Sequence, residues 1–361
     1  MTHGKGILPG QALRGRGAAS NVAGRFEGAT REAVDDGWDI PEDRRVVRTE
    51  VREERARSAL SYNQSPDLGF DRAVNPYRGC EHGCVYCYAR PSHAFLNLSP
   101  GLDFETKLIA RPGIGAVLAR ELSAKGYVPK VIVLGSNTDP YQPLEASARV
   151  TREVVEVLAA FRHPLGITTR GSLVERDIDI LAGMAADGLA RVGISLTTLD
   201  AGLARKMEPR APAPARRLMM IRRLSEAGVP VRVMVSPVIP ALTDHEVEAI
   251  LAAARAAGAV AASSIMLRLP LEVAGLFRDW LEATFPDRAD RVMGRVRELH
   301  GGRDYDPAFG TRFRGQGVWA DLMRQRFDKA CARLGLAQRM APMRTDLFRV
   351  PPGAGDQLSL F

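Results

Sequence analysis

The chain has 361 residues, of which 45% are hydrophobic, and 50 Lys/Arg against 42 Asp/Glu give a formal net charge of +8. That is enough apolar material for one large folded domain with extensions. No run of about 18 apolar residues is present to span a bilayer, and the opening MTHGKGILPGQALRGRG lacks the apolar centre of a secretory leader, so a cytoplasmic protein with no membrane partner is expected.

Residues 1–62 read as a flexible N-terminal extension, rich in Gly, Ala and mixed charge with no sustained apolar period. A core is expected over 63–300. It opens with a short apolar stretch near 69–75, a first strand, which runs into NPYRGCEHGCVYCYAR. There Cys80, Cys84 and Cys87 fall in C-x3-C-x2-C spacing on a loop holding Gly79 and Gly83. Three thiolates this close can converge on one metal centre. As ligands of a cubane iron–sulfur cluster they would leave one iron free of protein, and an open iron is a place for chemistry. The rival is zinc, with His82 or His93 as fourth ligand. Four cysteines in the whole chain argue against a disulfide framework.

Apolar, β-branched runs follow at VIVLGS (131–136), GITT (166–169), RVGISLTT (191–198), VPVRVMVSPVI (229–239) and SSIMLRL (263–269). Helical patterns such as PLEASARVTREVVEVLAAF and HEVEAILAAARAAG lie between them. This alternation predicts an α/β fold, a partial or full (β/α) barrel around a parallel sheet. Sites in such barrels gather at the C-terminal ends of the strands, where the cysteine loop also falls. Polar residues stand at several of those ends: Gly135 to Glu145, Thr168-Thr169-Arg170, Ser195, and SPVIPALTD with its strand-breaking Pro237 and Pro240.

Residues 301–350 are expected to form a basic, largely helical C-terminal cap. Over 291–350 there are 13 Lys/Arg against 6 Asp/Glu, interleaved with Tyr305, Phe309, Phe313, Trp319 and Phe327. That mixture fits either a nucleic-acid surface or a solvated helix face over ordinary core aromatics. Cys331, in VWADLMRQRFDKACARL, reads as a buried packing residue beside Val318, Leu322, Ala330 and Leu334 at helical spacing. Residues 351–361 form a linker, Pro351 to Gly355, and a tail ending in Gln357-Leu358-Ser359-Leu360-Phe361.

The cysteine motif resembles the signature of the radical S-adenosylmethionine (SAM) enzymes. With TDPYQPLE, TTR, RDIDIL, MEPRAPAPARRL and AGVPVRVMVSPVIPALTD it resembles the spore photoproduct lyase branch of that family, over roughly residues 70–260. The resemblance implies the partial (β/α)6-type barrel and a 4Fe–4S cluster on Cys80, Cys84 and Cys87, with SAM bound at the free iron. It also implies reductive cleavage of SAM to a 5′-deoxyadenosyl radical, with an external electron donor. Tyr86 would lie beside cluster and SAM, Thr138 and Asp139 would contact the methionyl end, and Ser195 would reach the ribose. Arg170 stands where the family has a lysine near the SAM carboxylate, a group that a guanidinium suits. Tyr86 and Tyr88 match a tyrosine pair that relays hydrogen. Three residues before Asp139, where the lyase carries a hydrogen-donating cysteine, this chain has Ser136, and an O–H bond is too strong for that role.

The tail resembles the peptide by which bacterial replication and repair proteins bind the sliding clamp, with Gln357 hydrogen-bonding and Leu358, Leu360 and Phe361 meeting apolar pockets. The leading expectation is therefore a radical SAM enzyme acting on DNA, in a repair-like reaction, and recruited by the clamp. The alternatives are radical chemistry on an RNA, protein or small molecule, and a non-enzymatic zinc-binding clamp adaptor.

Overall fold

Chain-order pairing organises this molecule: most strands lie beside the strand that precedes them in sequence. The computed structural model describes residues 15–26 and 47–352. Its strands are β1 (Glu50–Glu53), β2 (Leu60–Tyr62), β3 (Arg72–Val74), β4 (Tyr77–Arg78), β5 (Lys107–Ala110) and β6 (Ile132–Leu134). They continue with β7 (Leu165–Thr169), β8 (Ala190–Ser195), β9 (Val231–Val238) and β10 (Ala261–Met266). The larger sheet has the order β10-β9-β8-β7-β6-β3-β2. From β3 to β10 every neighbour pair is parallel, and β2 runs antiparallel along one edge. No pairing joins β10 back to β2 or β3, so the six parallel strands form the expected partial barrel with its edges apart.

The physical cause is burial on both faces. Helices Val150–Ala160, Ile178–Ala186, Pro214–Glu226 and Val247–Ala256 lie between successive strands in the chain, as parallel crossovers require. Their apolar stripes, for example Val154, Val155 and Leu158, are fully covered. So are Ile132, Leu134, Leu165, Val192, Ile194, Val231 and Val233 in the strands. Such strands need β-branched runs rather than alternation, which is why they stand out in the sequence. Burying each of these side chains contributes about 1.5–3 kcal/mol.

A second sheet, β1-β5-β4, sits beside the cysteine loop. It includes part of the stretch expected to be a flexible extension, and that expectation is corrected for the described residues. Gly17 and Ala18 donate their amides to the Glu105 carboxylate at 2.9 and 2.8 Å, and Ser20 accepts from the Leu102 amide. Mixed charge concealed this packing, because each polar contact is made to a residue some 80 positions away.

The cap is also less helical than expected. Among its described residues the helix is Val318–Leu334, and the flanks are loops. Cys331 is buried as read, but its companions differ: Ala320, Met323, Phe327 and Ala330 face the core, whereas Val318 and Leu322 are exposed. The chain then returns to the sheet, where Ala337 bridges Ala261 of β10. Residues 353–361, with the clamp-like tail, lie outside the described residues. Among the described residues no helix is long and apolar enough to cross a membrane.

Candidate metal and cofactor centre

The cysteine loop follows β3 and β4 at the C-terminal mouth of the sheet, and its path depends on two glycines. Gly79 and Gly83 have φ of +76° and +69°, a region where a side chain is strained. A Cβ on Gly79 would meet the Phe104 carbonyl at 2.8 Å, and one on Gly83 would meet Glu105 Oε2 at 2.8 Å. The loop is fixed from beneath by Arg90, whose guanidinium donates to the Cys84 carbonyl at 3.0 and 2.9 Å and to the Glu105 carboxylate at 2.5 Å. Gln142, fully buried, clips it from the side by accepting from the Glu81 amide and donating to the Gly79 carbonyl.

All three loop cysteines are free thiols, Cys80 and Cys84 buried and Cys87 partly exposed. Burial pushes the Cys84 thiol up to about 12, against the pull of Arg170 and with Glu208 and Cys87 adding to the rise. Cys80 is raised too, by burial first and then by Asp139, Cys84 and Cys87. The three thiols thus share one neighbourhood, and any metal they take must displace protons. Among the described residues, no three His, Cys, Asp or Glu side chains are grouped as ligands of a single metal ion. A cubane makes no such demand, because each thiolate binds a different iron.

Around the thiols converge the ends of the neighbouring strands. Arg170, one residue past β7, donates from one nitrogen to Cys84 Sγ at 3.0 Å, Tyr86 Oη at 2.8 Å and Glu208 Oε1 at 2.7 Å. Its other nitrogen lies 3.4 Å from Ser195 Oγ at the end of β8. Glu208 is shared: the Arg217 guanidinium grips its second oxygen and the Tyr86 hydroxyl donates to its first. Burial would raise this carboxyl, but Arg217 and Arg170 hold it down to about 2. Two guanidiniums on one carboxylate leave one positive charge in surplus beside Cys84. That surplus suits thiolates, or a carboxylate brought by a cofactor.

Thr138 and Asp139 serve the scaffold in this structure. Thr138 Oγ1 donates to the Tyr77 carbonyl. Asp139 accepts from Thr169 Oγ1, the Tyr141 amide and the Arg170 amide at 2.5, 2.9 and 2.9 Å. Its oxygen also lies 3.3 Å from His82 Nδ1, close but not aligned for a hydrogen bond. Burial opposes ionisation, yet His82 and these donors hold the Asp139 carboxyl down to about 2. Asp139 therefore orients the backbone that carries Arg170. Tyr86 is buried within the Arg170–Glu208 group, whereas the Tyr88 ring is 42% exposed and its hydroxyl donates to the Ser136 carbonyl at 2.6 Å.

Sequence reasoning missed Glu208, Arg217 and Ser236. Glu208 lies in MEPRAPAPARRL, where its one available signal is an acid placed among arginines and prolines. Ser236, in β9, accepts from Ser195 and Thr197 through its carbonyl, while its own hydroxyl is buried without a partner. A buried hydroxyl beside Ser195 that spends no hydrogen bond within the protein suits a polar ligand group. The free thiols, the cationic surplus and this hydroxyl together fit a cluster with a polar, carboxylate-bearing cofactor.

A family model described as the radical SAM superfamily matches residues 74–254. An uncharacterised protein of Mycobacterium tuberculosis is 35% identical over 302 residues, covering 82% of this chain and 84% of the relative. Another from Methanocaldococcus jannaschii is 25% identical over 197 residues, 55% of this chain and 71% of the relative. Among solved structures, spore photoproduct lyase complexed with dinucleoside spore photoproduct matches with a TM-score of 0.59 and 14% identity, covering 80% of this chain and 81% of that one. A variant of that lyase with bound AdoMet and the same dinucleoside matches at 0.58 and 14%, over the same shares. At this identity the likeness is one of fold.

Proposed function

This chain belongs to the radical SAM superfamily, and on that premise we propose that it cleaves SAM reductively at a 4Fe–4S cluster on Cys80, Cys84 and Cys87 and acts on DNA in the cytoplasm. When bound, cluster and SAM supply the electron transfer that yields a 5′-deoxyadenosyl radical, after reduction by an external donor. The observation that carries the reading is the meeting of Arg170, Glu208 and Tyr86 at Cys84 Sγ, on the mouth of a parallel sheet. Arg170 would anchor the SAM carboxylate while keeping its contact with the thiolate. Ser195 and Ser236 would take the ribose hydroxyls, and the buried walls would exclude water from the radical.

Spore photoproduct lyase is a structural neighbour that has been solved with a dinucleoside photolesion, which supports a nucleic-acid substrate. By the sequence resemblance Ser136 stands where the lyase branch carries its hydrogen-donating cysteine, so the reaction proposed is a related radical step rather than thymine-dimer reversal through a thiol. Recruitment by the sliding clamp through Gln357, Leu358, Leu360 and Phe361 is part of the proposal. Deleting 357–361 should abolish binding to purified clamp.

Anaerobic reconstitution with iron, sulfide, SAM and dithionite, followed by chromatography for 5′-deoxyadenosine, tests the core of the reading. Product above a Cys84→Ala control is expected. Zinc without iron and sulfide in anaerobically purified protein would overturn it.

A further inference from the structure

At the mouth, beyond Tyr88, an arginine is held between two aromatic rings. Arg268, two residues past β10, stacks over Tyr88 at 4.2 Å and over Phe313 at 4.7 Å. Among the described residues its guanidinium makes no hydrogen bond and no ion pair. Stacking fixes the plane of the guanidinium while its edge, with five N–H donors, stays unspent. A second arginine extends the stack: Arg312 lies 4.7 Å from both Phe313 and Phe309. Arg312 is neutralised by Asp67 at 2.6 Å and bonded to Ser65. The outermost ring, Phe309, is 61% exposed. The order from site to solvent is Tyr88, Arg268, Phe313, Arg312, Phe309.

The same segment spans the opening of the barrel. The Phe313 carbonyl accepts from the Met266 amide of β10, and Gly310 and Arg312 bond to Asp67, in the loop after β2. The two edges of the open sheet are thus joined by 310–313, from the end of β10 to the loop after β2. The surrounding cap is basic, though unevenly so: Arg295, Arg297, Arg324, Arg326 and Arg344 are spent on acidic neighbours within this chain. Arg268 is distinguished from them by having rings and no acid.

We propose that this stack is the substrate-entry surface, with Arg268 taking a backbone phosphate of a DNA strand and Phe309 stacking an unpaired base one position further out. The inference rests on the DNA reading above. A planar guanidinium packed against two rings, with no acid beside it, keeps N–H donors for a phosphate in bidentate fashion, and an exposed ring stacks any base. The phosphate would then sit next to Tyr88, whose hydroxyl is bonded to Ser136 on the rim of the site.

The test uses the full-length reconstituted protein and a fluorescein-labelled 12-nucleotide DNA strand, read by anisotropy across a salt series. Arg268→Gln and Phe309→Ala are each expected to weaken binding by about 10-fold. The slope of log affinity against log salt should fall by about 0.7 for Arg268→Gln on a single strand and stay unchanged for Phe309→Ala. Arg314→Gln removes an exposed neighbouring charge and should change affinity by less than about 2-fold. Because Phe309 is exposed, its variant stays informative even if Arg268→Gln lowers stability. Equal losses for Arg268→Gln and Arg314→Gln, with Phe309→Ala unchanged, would overturn the site while leaving DNA as substrate. No DNA binding by a wild-type protein that still cleaves SAM would overturn the DNA reading itself, as would tighter binding of the RNA strand of the same sequence.

Discussion

The guanidinium of Arg170 reaches Cys84 Sγ over 3.0 Å while its backbone amide is held by Asp139 at 2.9 Å. One residue therefore couples the end of β7 to the cysteine loop through both its side chain and its main chain. A lysine keeps the charge but cannot span Cys84, Tyr86, Glu208 and Ser195 at once. Arg170→Lys is expected to lower 5′-deoxyadenosine formation about 10-fold and Arg170→Ala about 100-fold, the loss of one or more charge-assisted hydrogen bonds. Rates in both variants at matched iron content provide the check.

Glu208 neutralises one of two arginines, the buried Arg217 and the partly buried Arg170, and removing its charge leaves both guanidiniums uncompensated. Glu208→Gln should cost about 3 kcal/mol of stability. In a chain of this size that lowers the melting temperature by several degrees, measurable by circular dichroism. An unchanged melting temperature would show that the carboxylate is dispensable.

His163 provides a pH signature far from the thiols. Burial, with Arg72 nearby, lowers its pKa to about 4, although its bond to the Pro164 carbonyl opposes the shift. Nδ1–H donates to that carbonyl and Nε2 accepts from Tyr127, so the ring is stored neutral. A depressed histidine binds its proton more readily in the unfolded chain. Its stabilisation is complete above about pH 6.5 and is lost as pH falls towards 4, amounting to about 3 kcal/mol. Asp139 and Glu208, held near 2, lose their contribution only below the ordinary carboxylate range. Thermal melts from pH 7 to 5, above the range where the carboxylates titrate, should therefore show a slope that is reduced in His163→Gln.

Gly17 lies against the cysteine loop so closely that a Cβ there would stand 1.7 Å from the Gly83 carbonyl. Gly17→Ala must lift residues 16–18 off Glu105 or shift the loop. Faster bleaching of the cluster absorbance in air is the expected outcome, with SAM cleavage under anaerobic conditions reduced less than the cluster lifetime.

Cys331 is a core residue of the helix Val318–Leu334 and has no part in the cysteine loop. Cys331→Ala should leave iron and sulfide per chain unchanged and lower stability by about 1 kcal/mol, the loss of one buried atom's packing. Iron falling in proportion would mean that the fourth cysteine serves the cluster.

The main sheet was legible because strands covered on both faces are rich in apolar, β-branched residues, as in VIVL, and even β9, where Arg232 interrupts the run, keeps Val231, Val233 and Val235 buried. The second sheet was not: β1 is EVRE, fully exposed along its length, and β4 has two residues. Cys80, Cys84 and Cys87 could be read from spacing, since a local loop brings them together. Glu208 and Arg217 could not, because their meaning comes from burial and from pairing across elements. TDPYQPLE shows the opposite case. Its Tyr141, Gln142 and Glu145 are buried and bonded to Asp177, the cysteine loop and Tyr77, so the motif fastens the site.

Pairing in chain order has a consequence for how the protein is made. From β3 to β10 each strand of the parallel run joins the one synthesised before it, so the sheet can be laid down progressively from one edge as the chain emerges. The three thiols are among the first elements delivered. Arg170, Glu208 and Arg217 arrive later, and the stretch that ties β10 to the β2 loop arrives near the end. During that interval the cysteines stand open, and completion of the fold is what buries Cys80 and Cys84 and leaves Cys87 at the rim.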